Sequence, residues 1–173
     1  ILAHPVSRLE IFFGRLAAFL VAQVAIQAIT WLGFWLFVPG TTLELTAGEL
    51  VLPFLSLLSL MVLFGALALL FSMLLPSRSL AAMFSGLLLV ASYFITSFSK
   101  IDEDLEQLAK FSPMNYYQGG EALAGMEWGW FFGLLACALG LALLAWWLFE
   151  RRDIRVVGEG SFKLPGLALR KRS

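Results

Sequence analysis

Four long runs of uncharged, mostly apolar residues constrain this chain more than any other feature. They cover residues 16–38, 50–75, 80–98 and 128–149. A helix needs about 20 such residues to cross roughly 30 Å of hydrocarbon. The runs are apolar nearly all round, whereas the helices of a soluble bundle would each keep a polar face. We therefore predict an all-α polytopic membrane helix bundle with four transmembrane helices, forming one domain over residues 1–173.

The composition agrees with this class. The chain is 60% hydrophobic and 14% charged, with a mean hydropathy of +0.86, whereas a soluble domain carries charge on roughly a quarter of its residues. We therefore predict that the chain is an integral membrane protein in contact with lipid. The only cysteine, Cys137, lies in an apolar run and offers no disulfide framework. The net charge is zero, which gives no reason to expect a nucleic-acid partner.

The distribution of basic residues predicts the orientation. Ten of the twelve lysines and arginines lie in the segment 1–15, the turn 76–79 and the tail 150–173, and the segments 39–49 and 99–127 hold the other two with eight acidic residues. The positive-inside rule then places both ends of the chain in the cytoplasm. Because residue 1 is isoleucine, we expect further membrane-spanning sequence upstream.

The stretch HPVSRLEIFFGR, residues 4–15, carries a helix start in front of the first apolar run. Ser7 is a good N-cap, and Glu10 lies three residues later, as in a capping box. Pro5 keeps the preceding residue out of the helical region. A helix is therefore predicted to begin near Arg8.

A short amphipathic helix is predicted in the long loop between the last two spans. Ile101, Leu105, Leu108 and Ala109 would share one face, and acidic residues occupy most of the rest. Such a helix is suited to lie on the external surface of the membrane.

Few polar residues interrupt the spans. Gln23 and Gln27 share a face of the first span, with Thr30 one turn further along, and these three side chains could line a translocation path or hold helices together. Gly129, Gly133 and Cys137 recur at four-residue intervals in the last span. We interpret this stripe of small residues as a surface against which another helix packs.

The sequence offers no catalytic, cofactor-binding or metal-binding pattern. His4 is the only histidine, no phosphate-binding loop is present, and no aspartate, glutamate, lysine, arginine or histidine lies within a span. A proton relay needs such groups at membrane depth. We expect no enzyme activity in this chain, and if the protein does work that requires energy, the energy comes from elsewhere.

Four segments resemble ABC-2 type permeases, the membrane-spanning subunits of ABC exporters. ILAHPVSRLEIFFGRLAAF is similar to their cytoplasmic segment before the third helix, and LLPSRSLAAMFSGLLLVASYF to the turn between the fourth and fifth. LAKFSPMNYYQGGEALAG resembles the outer segment before their final helix, and WWLFERRDIRV the exit into the cytoplasm. The chain would then contain helices three to six of the usual six.

The resemblance implies a function and its partners. The segment before the third helix would dock on a separate ATPase subunit, which would bind ATP and Mg, and a second permease subunit would complete the transporter in the cytoplasmic (inner) membrane. The implied contact residues are His4, Pro5, Val6, Ser7, Arg8 and Glu10, with Arg78 as a second contact.

Two alternatives stay open from the residues. The chain could anchor or assemble an ATPase without moving a substrate, or it could be an intramembrane enzyme, which the lack of a catalytic cluster disfavours. Neither the substrate nor the direction of transport follows from the sequence.

Overall fold

Four long helices make up most of the described part of the protein. A computed structural model describes residues 8–37 and 46–151. Within these ranges the long helices are α1 (Arg8–Phe37), α2 (Ala47–Leu74), α3 (Arg78–Phe98) and α5 (Trp128–Arg151), with a single-turn helix, α4 (Glu106–Ala109), in the last connection. Each long helix has the length and apolar composition needed to cross a membrane. The predicted all-α bundle with four spans is confirmed.

Helix α2 begins three residues before the predicted span because a capping box lies there. The Thr46 hydroxyl accepts a hydrogen bond from the Glu49 amide at 3.3 Å, and the Glu49 carboxylate accepts one from the Thr46 amide at 2.9 Å. These two bonds satisfy amide groups that the start of a helix otherwise leaves without partners.

Helix α2 is the centre of the bundle. It contacts α1, α3 and α5. Among the described residues it contains the largest fully buried side chain, Leu60, together with the buried Ser56 and Ser59. Its closest partner is α5. Leu63 and Ala66 of α2 pack there in a core cluster with residues of α5.

The face of α5 that meets α2 follows a spacing of four, three and four residues. Leu134, Ala138 and Ala145 are buried, and Leu141 packs against the same clusters. Positions with this spacing lie on one stripe of a helix. Alanines at two of the four positions allow the two backbones to approach closely.

The predicted loop helix is present but short. A 3-10 turn at Glu103–Leu105 leads directly into α4. The amides of Ile101 and Asp102 both donate to the Phe98 carbonyl, and the Asp102 carboxylate accepts from the Asp104 amide. These bonds form a turn that continues the end of α3, so the loop helix begins only afterwards. Ile101 is consequently 83% exposed and takes no part in an apolar helix face.

Candidate functional site

Most of the predicted ATPase contact lies outside the described residues. This applies to His4, Pro5, Val6 and Ser7, so the proposed capping box at the start of α1 stays a prediction. The described part of α1 runs from Arg8 to Phe37, and the predicted helix start near Arg8 stays a prediction. Glu10 is exposed in its first turn.

The beginning of α1 is held firmly against two other helices. Phe12 is only 5% exposed and forms a cluster with Leu70 of α2 and Ala145 of α5. Its ring centroid lies 5.6 Å from that of Phe149, near the end of α5. The first turns of α1 are therefore joined by apolar contacts to the end of α2 and the end of α5.

The turn between α2 and α3 lies at the same end of the bundle, which we call the basic end (the start of α1, residues 75–78 and the end of α5). Ser77 caps α3 by accepting a hydrogen bond from the Leu80 amide at 3.2 Å. Arg78 is the first residue of α3 and is exposed. Arg151, in the last turn of α5, lies over the Trp147 ring at 3.8 Å.

The polar residues Gln23, Gln27 and Thr30 of α1 do not line one common depression in the described structure. Gln27 is 9% exposed and faces α2, whereas Thr30 is exposed and donates its hydroxyl proton to the Ile26 carbonyl of its own helix at 2.8 Å. Thr30 lies in a separate depression with Gly33, Phe34 and Phe37. Gln23 is partly buried and lines neither depression.

A groove of about 200 Å³ separates α1 from α2. Helix α1 lines it with Val24, Gln27, Ala28 and Trp31, and helix α2 with Val51, Phe54, Leu55 and Leu58. Two groups in this wall can form hydrogen bonds, the Gln27 amide and the Trp31 indole. The Trp31 Nε1 atom is buried and has no hydrogen-bond partner among the described residues.

The stripe of Gly129, Gly133 and Cys137 meets no other helix among the residues that the structure describes. A Cβ atom added at either glycine would have no atom of a neighbouring element within 4 Å, and Cys137 is exposed. Among the described residues, α5 turns its Leu134–Ala138 face to α2 instead. Packing of the stripe against a second subunit stays a prediction.

A glycine in α2, by contrast, lies where another helix comes very close. A Cβ atom at Gly65 would collide with the Phe19 ring of α1. The absence of a side chain at residue 65 therefore lets α1 lie against α2.

The loop after α3 is attached to the far end of the bundle by buried hydroxyl groups. Ser56 of α2 accepts a hydrogen bond from the Gln118 amide at 3.0 Å. The Ser112 hydroxyl donates to the Ser92 carbonyl of α3 at 3.0 Å and lies 2.9 Å from the Thr96 hydroxyl. Because Ser112 uses its one proton on Ser92, Thr96 is the donor in the second bond.

Gln118 also holds the loop to the start of α5. Its side-chain amide donates to the Glu127 carbonyl at 3.0 Å and accepts from the Glu127 backbone amide at 2.7 Å. Nearby, the Tyr116 hydroxyl donates to the Lys110 carbonyl at 2.7 Å, and the Tyr116 ring lies 4.5 Å from that of Trp130. The loop is a fixed cover over this end of the bundle, which we call the loop end.

The described side chains bring no three histidine, cysteine, aspartate or glutamate residues together in a way that could hold a metal ion.

Residues 2–155 match a protein family described as "Protein of unknown function (DUF2705)". The chain belongs to this family. No curated protein and no solved structure matches the chain.

Sequence reasoning missed two features of this DUF2705 protein. Trp31 lies four residues after Gln27, a spacing that places both on one helix face. Ser56 and Ser59 stand out in the most hydrophobic of the four spans, where polar side chains need hydrogen-bond partners. Each signal was present, but neither one indicates which partner the side chain meets.

Proposed function

We propose that this chain is the membrane-spanning subunit of an ATP-driven transporter of the ABC-2 type. It would move a substrate across the cytoplasmic membrane together with a second permease subunit, and a separate ABC ATPase subunit would bind ATP and Mg and hydrolyse the nucleotide. The proposal rests on the sequence resemblance and on the way α1 is attached at the basic end.

The attachment of Phe12 is the observation that carries the proposal. A force applied to the segment around Arg8 reaches Phe12 after about one helical turn. Phe12 contacts α2 and α5 at once, and packed interiors transmit displacement because they compress little. A docked ATPase could therefore move three membrane helices through one short segment.

The charge distribution supports an orientation with the basic end in the cytoplasm. The exposed Arg78 and Arg151 lie at this end of the described structure, and the positive-inside rule assigns such residues to the cytoplasmic side. The loop end holds the acidic residues of the 99–127 segment and the partly exposed Tyr116, Trp128 and Trp130, a pattern typical of a membrane–water interface.

Two variants test docking and coupling separately. The assay uses the full chain, reconstituted in lipid vesicles with an ATPase encoded by a neighbouring gene, and measures co-purification and ATP hydrolysis. Arg8→Glu should weaken co-purification, because it reverses the charge at the proposed contact. Phe12→Leu should leave co-purification intact but lower the stimulation of hydrolysis by the membrane subunit, because it loosens the contact with α2 and α5.

Matched controls accompany both variants. Lys110→Glu makes the same change in charge at the loop end. Phe13→Leu alters a neighbouring ring that is 44% exposed and contacts Trp146 of α5 but does not belong to the cluster that joins α1 to α2. Neither control should affect docking or hydrolysis. If Arg8→Glu docks normally, the contact is wrongly assigned. If Phe12→Leu and Phe13→Leu behave alike, α1 does not transmit the motion, and a simple anchor for the ATPase becomes the better description.

A further inference from the structure

A polar pocket of about 180 Å³ lies at the loop end, between the loop and the start of α5. Two glutamates, Glu121 and Glu127, and three aromatic residues, Tyr116, Tyr117 and Trp130, line it. No lysine, arginine or histidine belongs to the lining. The charges of the pocket therefore favour a positively charged occupant.

The two glutamates have no basic partner in the described structure. Lys110 lies on the same loop and accepts a hydrogen bond from Tyr116 at its carbonyl oxygen, but its ammonium group lies 3.7 Å from Glu106. A cation that enters the pocket would meet two carboxylates for which no lysine or arginine competes.

The aromatic residues add a second attraction for a cation. The ring centroids of Tyr116 and Trp130 lie 4.5 Å apart, and the ring planes are tilted by 39°. The face of such a ring attracts a cation that lies within roughly 6 Å of the ring centroid, and ammonium groups are the ligands that aromatic walls commonly recognise. The rings therefore favour an organic cation.

A metal ion fits the pocket less well. Calcium takes roughly six to eight oxygen ligands, several of them carboxylates. The described side chains bring no three histidine, cysteine, aspartate or glutamate residues together in a way that could hold a metal ion. A primary ammonium group, by contrast, needs only an acceptor for each of its N–H bonds.

The pocket offers such acceptors. The side chains of Asn115, Tyr117, Glu121 and Glu127 form no hydrogen bond within the described structure. An amide oxygen, a hydroxyl group and two carboxylates are thus available to one small donor.

The walls of the pocket are fixed before any ligand arrives. The backbone amide of Gln118 donates to Ser56, and its side chain forms two hydrogen bonds with the backbone of Glu127. The Tyr116 hydroxyl is held by the Lys110 carbonyl. A preorganised site loses little conformational freedom when its ligand binds.

We propose that this pocket binds the primary ammonium group of an organic amine. Its volume is below the roughly 300–1,000 Å³ of a pocket that encloses a drug-sized molecule. The ligand is therefore a small free amine or the amine headgroup of a larger molecule such as a phospholipid. The inference goes beyond the proposed function and does not depend on it.

The test titrates the purified full chain, labelled with fluorotryptophan, with propylammonium and with propanol. The two probes have equal numbers of heavy atoms and differ in charge, and the ionic strength is kept constant because salt screens exposed charges. The fluorine resonance of Trp130, assigned with Trp130→Phe, should shift with propylammonium and not with propanol. The resonance of Trp147, near the basic end, should stay in place. No shift at Trp130, or equal shifts with both probes, would overturn the proposal.

Three variants test the assignment of the carboxylates. Glu121→Gln and Glu127→Gln keep the size of the side chain and remove its charge, and each should weaken binding of propylammonium about two- to fivefold, the range of an exposed ion pair. Asp104→Asn removes an exposed carboxylate of the same loop outside the pocket lining and should leave binding unchanged. Equal weakening in all three variants would show a response to the total charge of the loop and would also overturn the proposal.

A lipid arm identifies the source of the amine. The labelled protein is compared in nanodiscs of phosphatidylethanolamine and of phosphatidylglycerol, which lacks the amine. If phosphatidylethanolamine alone moves the Trp130 resonance to its amine-bound position, the ligand is a lipid headgroup. If both nanodiscs give the free position and propylammonium still shifts it, the ligand is a soluble amine. Either result supports an ammonium site.

Discussion

Replacing Ala138 by leucine tests the packing of α5 against α2. Ala138 is 2% exposed and lies in the cluster that contains Leu63, Ala66 and Leu134. A leucine adds three carbon atoms at a position where the two helices approach closely. Extra methylene groups in a packed core typically cost about 1–3 kcal/mol. For a chain of this size we expect the midpoint of thermal unfolding to fall by about 3–10 °C.

The matched control changes an exposed alanine of the same helix. Ala136 is exposed, so Ala136→Leu adds the same atoms with almost the same helix propensity and should leave the midpoint unchanged. Both variants are purified in one detergent, and loss of the folded species is followed by size-exclusion chromatography after heating. Equal midpoints would refute the assignment of the Leu134–Ala138 face to the contact with α2.

A third variant decides whether the glycine stripe has a partner. No neighbouring element lies within 4 Å of a Cβ atom at Gly133, and leucine is favoured over glycine in a helix by up to about 1 kcal/mol. Gly133→Leu should therefore keep or raise the midpoint of the isolated chain. If it destabilises the protein more than Ala138→Leu does, the stripe is packed against another subunit.

Three further predictions follow from the contacts of α2 and from the charges. Gly65→Ala should lower the midpoint by a few degrees, because the new Cβ displaces the Phe19 ring and overpacking of this kind costs about 1 kcal/mol or more. Ser56→Ala should make the 112–124 segment more accessible to protease, because the partly buried backbone amide of Gln118 loses its acceptor, a loss of about 0.5–1.5 kcal/mol. A cysteine at Gln107, introduced with Cys137→Ala, should react with an impermeant thiol reagent from outside the cell.

Each of these predictions has its control. Gly86→Ala meets no neighbouring atom and should be neutral or stabilising, so equal effects at the two glycines would contradict the Phe19 contact. Ser85→Ala removes a hydroxyl that bonds only within α3 and should leave the protease pattern unchanged. A cysteine at Ser161, in the tail that the proposed orientation places in the cytoplasm, should stay unlabelled, and labelling of both cysteines from one side would rule out this orientation.

The candidate site could be predicted only in part. The sequence placed a helix start near Arg8 and singled out Gln27, because capping and side-chain spacing are local properties of the chain. It could not show that Phe12 is buried while Phe13 is exposed, since both are apolar neighbours in a membrane-embedded sequence. Nor could it show that Trp31 lacks a partner, because that depends on what α2 presents to it.

The number of spans was a property of the sequence alone, because the cost of placing polar groups in hydrocarbon acts on each residue wherever its neighbours lie. The contacts between the helices were not determined by the sequence alone. Lipid is as apolar as a leucine side chain, so hydrophobicity cannot distinguish a helix face that meets lipid from one that meets another helix. The stripe of Gly129 and Gly133 and the stripe of Ala138 and Ala145 are both small and apolar, and only the tertiary structure turned the second one to α2. Close packing determines which stripe faces α2, because the side chains of two particular helices must fit together.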